Sequence, residues 1–172
     1  MTLAMYTEEQ MKSFENKIIN MDCLDFLKKC PDNYFSLVLT DPPYGIESKI
    51  STKEKKQNAG NKFALLYNEK RWDKKPHKEV FEEMLRVSKN QVICGGNYFS
   101  EFLPSSRGWI RWDKVVENMT SINNELIWTS FDFAIKTFRR CHGIDKGFMN
   151  TGIDKPFHTT QKPRALFEKK KK

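Results

Sequence analysis

A chain of 172 residues can enclose one domain with a real core and hardly two. No apolar stretch approaches the length of a bilayer span and the N-terminus lacks a secretory pattern, so neither membrane embedding nor export is expected, and the expected location is the cytoplasm. Thirty Lys and Arg against 22 Asp and Glu leave a formal charge of +8, which suits a polyanion such as nucleic acid and equally suits a plain basic surface; four of the positive charges belong to the run Lys169-Lys170-Lys171-Lys172.

Residues 1–12 are polar and mixed and read as an arm or a loose helix. Lys17-Ile18-Ile19 has the character of a short strand, ended by Asn20-Met21-Asp22. Cys23, Leu24, Phe26 and Leu27 then turn inward around Asp25, which predicts a helix closed by Pro31-Asp32-Asn33. Residues 35–40 have a continuous apolar core, the pattern of a buried parallel strand. Strand, short helix, turn and strand is the alternation of an α/β sheet with crossover connections, where chemistry gathers at the carboxyl ends of the strands. Asp22 and Asp41 each follow a predicted strand and are expected on one edge of the sheet.

Residues 45–71 lose periodicity and become polar, with lysines interspersed among Ser, Gln, Asn and Gly. So long a structureless stretch is either a solvated insertion or a functional loop. Its place after Asp41-Pro42-Pro43-Tyr44 favours a mobile loop that contacts DNA, with Lys53, Lys55 and Lys56 as contacts. Residues 77–88 read as an amphipathic helix, with Val80, Phe81, Met84, Leu85 and Val87 on one face and Pro76 at its start. Gln91-Val92-Ile93-Cys94 is the next strand, stopped by Gly95-Gly96 where the backbone can turn sharply. Gly108-Trp109-Ile110-Arg111-Trp112 predicts another strand, and residues 125–130 and 133–138 a hairpin rich in aromatic and β-branched residues. Arg139 and Arg140 follow, where the chain is expected to run over DNA. Residues 163–168 predict the first turns of a helix.

Cys23, Cys30, Cys94 and Cys141 form no C-x-x-C pair and read as single thiols. His77, His142 and His158 are as dispersed, so no spacing supports a metal site.

The chemistry centres on Asp41-Pro42-Pro43-Tyr44. By itself the tetrapeptide is compatible with an ordinary proline turn. It also has what is needed to activate an exocyclic amine of a nucleobase, a poor nucleophile because its lone pair is delocalised into the ring. A carboxylate from Asp41 and the carbonyl of Pro42 would accept hydrogen bonds from the amino hydrogens and localise that lone pair. Pro42 and Pro43 stiffen the turn, and Tyr44 would stack on the extruded base.

With its context, the motif resembles that of the amino-methylating DNA methyltransferases in permuted order, phage and prophage adenine enzymes among them, over residues 17–167. Asp22-Cys23-Leu24-Asp25-Phe26-Leu27 resembles the family segment that binds the adenine of S-adenosylmethionine; the resemblance gives Asp22 that role with backbone help near Cys23, and a helix N-cap at Asp22 is compatible with it. Arg86-Val87-Ser88-Lys89-Asn90-Gln91, Gly95-Gly96-Asn97-Tyr98-Phe99 and residues 108–114 resemble further family stretches. Glu125-Leu126-Ile127-Trp128 is similar to a motif near the flipped base, which makes Trp128 a second stacking candidate or a core tryptophan. His158-Thr159-Thr160-Gln161-Lys162-Pro163 resembles the H-P-T-Q-K-P segment at the methionine end of the cofactor pocket, and points to Thr160, Gln161 and Lys162. In the family that this motif resembles, the opening residue helps to distinguish targets, and by that resemblance Asp41 favours adenine over the cytosine amine.

The resemblance therefore implies a Rossmann-like, S-adenosylmethionine-dependent α/β fold acting on double-stranded DNA, as in restriction-modification. The family's glycine-rich cofactor turn, D-P-F-x-G-S-G, would follow Pro163 and is not in the sequence. The expectation is an incomplete fold with weak cofactor binding, open to self-association or to a complementing chain. The alternatives are an inactive nucleic-acid-binding remnant or subunit, and a cytosine 4-amino methyltransferase.

Overall fold

The computed structural model describes residues 4–46, 73–114, 124–139 and 162–167, and the chain divides into two units, Met1–Pro104 and Ser105–Lys172. The described residues hold both helices and strands, a mixed α/β composition.

In the first unit, helix α1 (Glu8–Ser13) starts from a reciprocal cap in which Gln10 N donates to Thr7 Oγ1 at 3.2 Å and Thr7 N donates to Gln10 Oε1 at 2.9 Å. Its Met11 is buried with Leu27 and Cys30 of the next segment, while Tyr6, Phe14 and Phe26 meet ring to ring at 5.1–5.7 Å. Helix α2 (Cys23–Leu27) follows, then strand β1 (Val38–Thr40), helix α3 (Lys78–Val87) and strand β2 (Gln91–Cys94). Val80, Met84 and Val87 recur at near-helical spacing on α3 and close the same core from the other side. A parallel bridge between Phe35 and Ser88 leads into parallel pairing of β1 with β2, Val38 opposite Gln91 and Thr40 opposite Ile93.

Arg86 ties the unit together. Its guanidinium donates to Leu27 O and Cys30 O, both at 2.9 Å, and pairs with Glu83 and Asp32. Carbonyls at and just beyond the end of α2, where the helix ladder runs out, thereby gain a charged donor. The Glu83 hydrogen bond, with Asp32 behind it, raises the already high pKa of Arg86 against the opposing effect of burial.

Burial pushes the Cys30 thiol up to about 11 from an ordinary 9.0. A thiol held protonated stabilises the fold fully below pH 9.0, and that stability is lost as pH rises through about 11. Cys30 and Cys94 are buried whereas Cys23 is exposed. Iodoacetamide at neutral pH is expected to modify Cys23 in the folded chain and to reach Cys30 and Cys94 only after denaturant is added, read by peptide mass spectrometry.

The structure differs from the sequence expectations here in three places, the first being Cys23, expected to turn inward but exposed at the solvent side of the start of α2. Lys17-Ile18-Ile19 forms no strand: Ile18 lies wholly in solvent, and among the described residues the triplet has no ladder to join. The strand in residues 35–40 is shorter than expected, and one face is open. Val38 packs on the core, so by alternation Leu37 and Leu39 point the other way and are 44% and 47% exposed.

In the second unit, strand β3 (Trp109–Asp113) lies between β4 (Asn124–Thr129) and β5 (Lys136–Arg139), antiparallel to the first and parallel to the second. The expected hairpin of the last two strands is therefore replaced by a crossover: residues 130–135 step over the start of β3. Gly108 makes room for that step. A Cβ there would lie 2.0 Å from Phe131 O and 2.5 Å from Thr129 Oγ1, and the site is further closed by Thr129 N and Oγ1, both donating to Gly108 O at 2.9 and 2.8 Å. Gly108→Ala is expected to destabilise the protein by about 1–3 kcal/mol in urea unfolding, because backbone would have to move. The helix expected from residue 163 is a single 3-10 turn, Arg164–Leu166, among the described residues.

Candidate active site

Because β1 and β2 run parallel, the turns that leave them emerge on one edge. Asp41-Pro42-Pro43-Tyr44 follows β1 and Gly95-Gly96 follows β2. Asp41 is exposed and Pro42 buried, so the first proline anchors the turn. Tyr44 folds back: its hydroxyl donates to Asp41 Oδ1 at 2.8 Å, its ring stacks on Tyr98 at 4.9 Å and 21°, and it meets Phe99 edge-on at 6.0 Å. Gly95 permits this packing. It has φ +64°, and a Cβ there would fall 2.3 Å from the Tyr44 ring. Gly95→Ala combines a left-handed backbone with a ring clash, and is expected to cost about 1–3 kcal/mol in denaturant unfolding and to weaken the Tyr44–Tyr98 ring contacts seen by NMR.

The exit of the turn is held from a distance in sequence. Gly45 N donates to Asp73 Oδ1 at 2.9 Å and Ile46 N to Asp73 Oδ2 at 2.8 Å, so one carboxylate takes two successive amides. Nearby, Lys75 pairs with Glu101 and its ammonium lies 4.7 Å from the Phe102 ring centre.

Asp22 caps α2, with Oδ1 accepting from Leu24 N at 2.8 Å and Asp25 N at 3.3 Å, and Cys23 is exposed beside it. No strand precedes Asp22 among the described residues, so the strand end expected there is a helix cap. In the second unit Trp128 is 1% exposed, the condition of a core tryptophan, and faces Trp109 across the β3–β4 ladder. Lys162 and Lys114 share the buried carboxylate of Glu125, at 3.0 Å to Oε1 and 3.2 Å to Oε2, and their ammonium groups lie 5.9 and 4.9 Å from the Trp112 ring centre. Arg139 is exposed and pairs with Asp113 at 3.4 Å. Lys53, Lys55, Lys56, Arg140, Thr160 and Gln161 lie outside the described residues.

The sequence reading missed Asp73, Tyr98, Glu125 and Lys114 as members of these clusters. Tyr98 and Glu125 stood inside recognisable stretches and could have been singled out. For Asp73 nothing in local spacing links it to Gly45, 28 residues earlier.

No family model matches the chain, and no curated protein matches it. Among solved structures it is similar to the crystal structure of a candidate DNA modification methylase from Thermus thermophilus, at 16% identity over 73% of this chain and 54% of that one, with a TM-score of 0.37. The selenomethionine derivative of that protein aligns at 14% identity over 85% of this chain and 60% of that one, again with a TM-score of 0.37. The chain thus spans between half and two thirds of the length of the structures it matches. A likeness this remote carries no functional inference.

Proposed function

We propose that the chain belongs to an S-adenosylmethionine-dependent enzyme of Rossmann-like fold that methylates the 6-amino group of adenine in double-stranded DNA. The observation that carries the reading is the exposed Asp41 carboxylate on a proline-stiffened turn at the carboxyl end of a parallel strand, bonded to the hydroxyl of Tyr44. A carboxylate so placed can accept a hydrogen from a base amine, and the Pro42 carbonyl supplies the second acceptor. The nitrogen lone pair is then localised for direct displacement, with orientation supplying most of the rate and no covalent intermediate with the protein. Tyr44 offers a ring for the extruded base, whereas Trp128, the second candidate, is 1% exposed and fits the core role instead.

S-adenosylmethionine supplies the methyl group, made electrophilic by its sulfonium. Asp22 and Cys23, with Thr160, Gln161 and Lys162, are the residues that would hold it. Asp22 fits this role, since it is exposed and uses only Oδ1 for its cap among the described residues, which leaves Oδ2 to accept from hydroxyl or amino groups. Lys53, Lys55, Lys56, Arg139 and Arg140 would meet phosphates, consistent with the net charge of +8. The corresponding setting is cytoplasmic DNA modification, with self-association or a partner chain.

The test is transfer of labelled methyl groups from S-adenosylmethionine to duplex DNA, followed by nucleoside analysis. Label in N6-methyladenine supports the proposal, and label in N4-methylcytosine moves the target to the cytosine amine. DNA binding without transfer would leave a binding module and overturn the catalytic reading.

A further inference from the structure

We infer that Asp73 is a positioning residue for the Asp41-Pro42-Pro43-Tyr44 turn, acting through the backbone and touching no reacting group. The inference rests on the base-presenting role proposed for that turn. Its entry is fixed by the sheet, where Thr40 pairs with Ile93. Within it the two prolines restrict their own φ angles. The exit is where freedom remains, because the chain passes through Gly45 at φ +70°, a region that costs glycine nothing and leaves it the most alternatives. Both oxygens of Asp73 close that exit, one on each of two successive amides, and charge-assisted bonds of this kind are roughly twice as strong as neutral ones.

The segment bearing Asp73 also lies against the turn. A Cβ on Gly45 would come within 3.0 Å of Lys75 Cβ and 3.3 Å of its amide nitrogen. With entry and exit both held, the Tyr44 ring is delivered onto Tyr98 and its hydroxyl onto Asp41. Releasing the exit should let Tyr44 and the Pro42 carbonyl wander while the β1–β2 pairing stays intact.

Asp73→Asn is the discriminating variant, since it keeps shape but turns one acceptor into an amide donor facing a backbone N–H. Hydrogen exchange and ring contacts by NMR need no catalysis. The expected result is exchange at Gly45 and Ile46 faster by about 10-fold or more, with weakened Tyr44–Tyr98 contacts and unchanged protection at Val92 and Ile93. In the methyl-transfer assay kcat should fall by about 10- to 100-fold, with KM for S-adenosylmethionine unchanged. Asp73→Glu, which keeps both acceptors, should recover part of each loss.

Unchanged exchange and ring contacts, or equal loss of protection at Val92 and Ile93, would overturn the positioning role, the latter leaving only a contribution to folding. A large rise in KM with kcat intact would overturn it as well. Failure of the underlying reading is separate: if the unaltered chain transfers no methyl group, or Asp41→Ala transfers normally, the base-presenting role falls, and with it the catalytic meaning of the clasp, whatever the NMR shows.

Discussion

Asp41→Ala is expected to lower methyl transfer to DNA by about 1,000-fold while the protein remains folded. The size follows from what the carboxylate is proposed to do. A delocalised amine is aimed and made nucleophilic only while its hydrogens are accepted, and the remaining acceptor, the Pro42 carbonyl, is neutral. Stability should hardly change, because Asp41 is exposed and outside the core of the first unit. Asp41→Asn keeps one acceptor oxygen without the charge and should fall between the two. Transfer of labelled methyl groups and urea unfolding, measured on the same preparations, separate the effects; normal transfer by Asp41→Ala would remove the catalytic assignment.

The largest expected effect on stability belongs to Glu125→Ala, about 3–5 kcal/mol. Glu125 is 6% exposed and its two oxygens hold Lys114 and Lys162, whose side chains are 17% and 10% exposed. Removing the carboxylate leaves two ammonium groups beside the same tryptophan ring, with no charge between them from Glu125. Changing Lys162→Met in the Glu125→Ala background should restore part of the loss by withdrawing one of those charges, a coupling that a double-mutant cycle in urea would read. Because the two lysine side chains are largely withdrawn from solvent, salt should do little to relieve the single variant. A loss below about 1 kcal/mol would mean that the carboxylate is replaceable by solvent.

Local chemistry was readable wherever a signal lay within one element. The amphipathic spacing on Lys78–Val87, the apolar run of Gln91–Cys94 and the acidic N-cap at Asp22 all appear in the structure. The tetrapeptide Asp41-Pro42-Pro43-Tyr44 was visible too, since the chemistry proposed for it lies in four consecutive residues. The parallel character of β1 was readable, but the pairing of the last strands was not. The strand-like patterns of β4 and β5 suggested a hairpin because neighbours in sequence usually pair, yet β3 lies between them.

The sequence by itself thus determined the helices Cys23–Leu27 and Lys78–Val87, the presence of the strands at and after residue 91, and the place of the Asp41-Pro42-Pro43-Tyr44 turn after a strand. Periodicity, capping and proline stiffness act over a few bonds and leave their mark in adjacent letters. Only the tertiary structure decided that Gly108 makes way for a crossover, that Glu125 is shared by two lysines, and that Asp73 closes the turn 28 residues behind it. Those depend on which backbone groups meet after folding, and a carboxylate carries no label in the sequence for the amides it will reach.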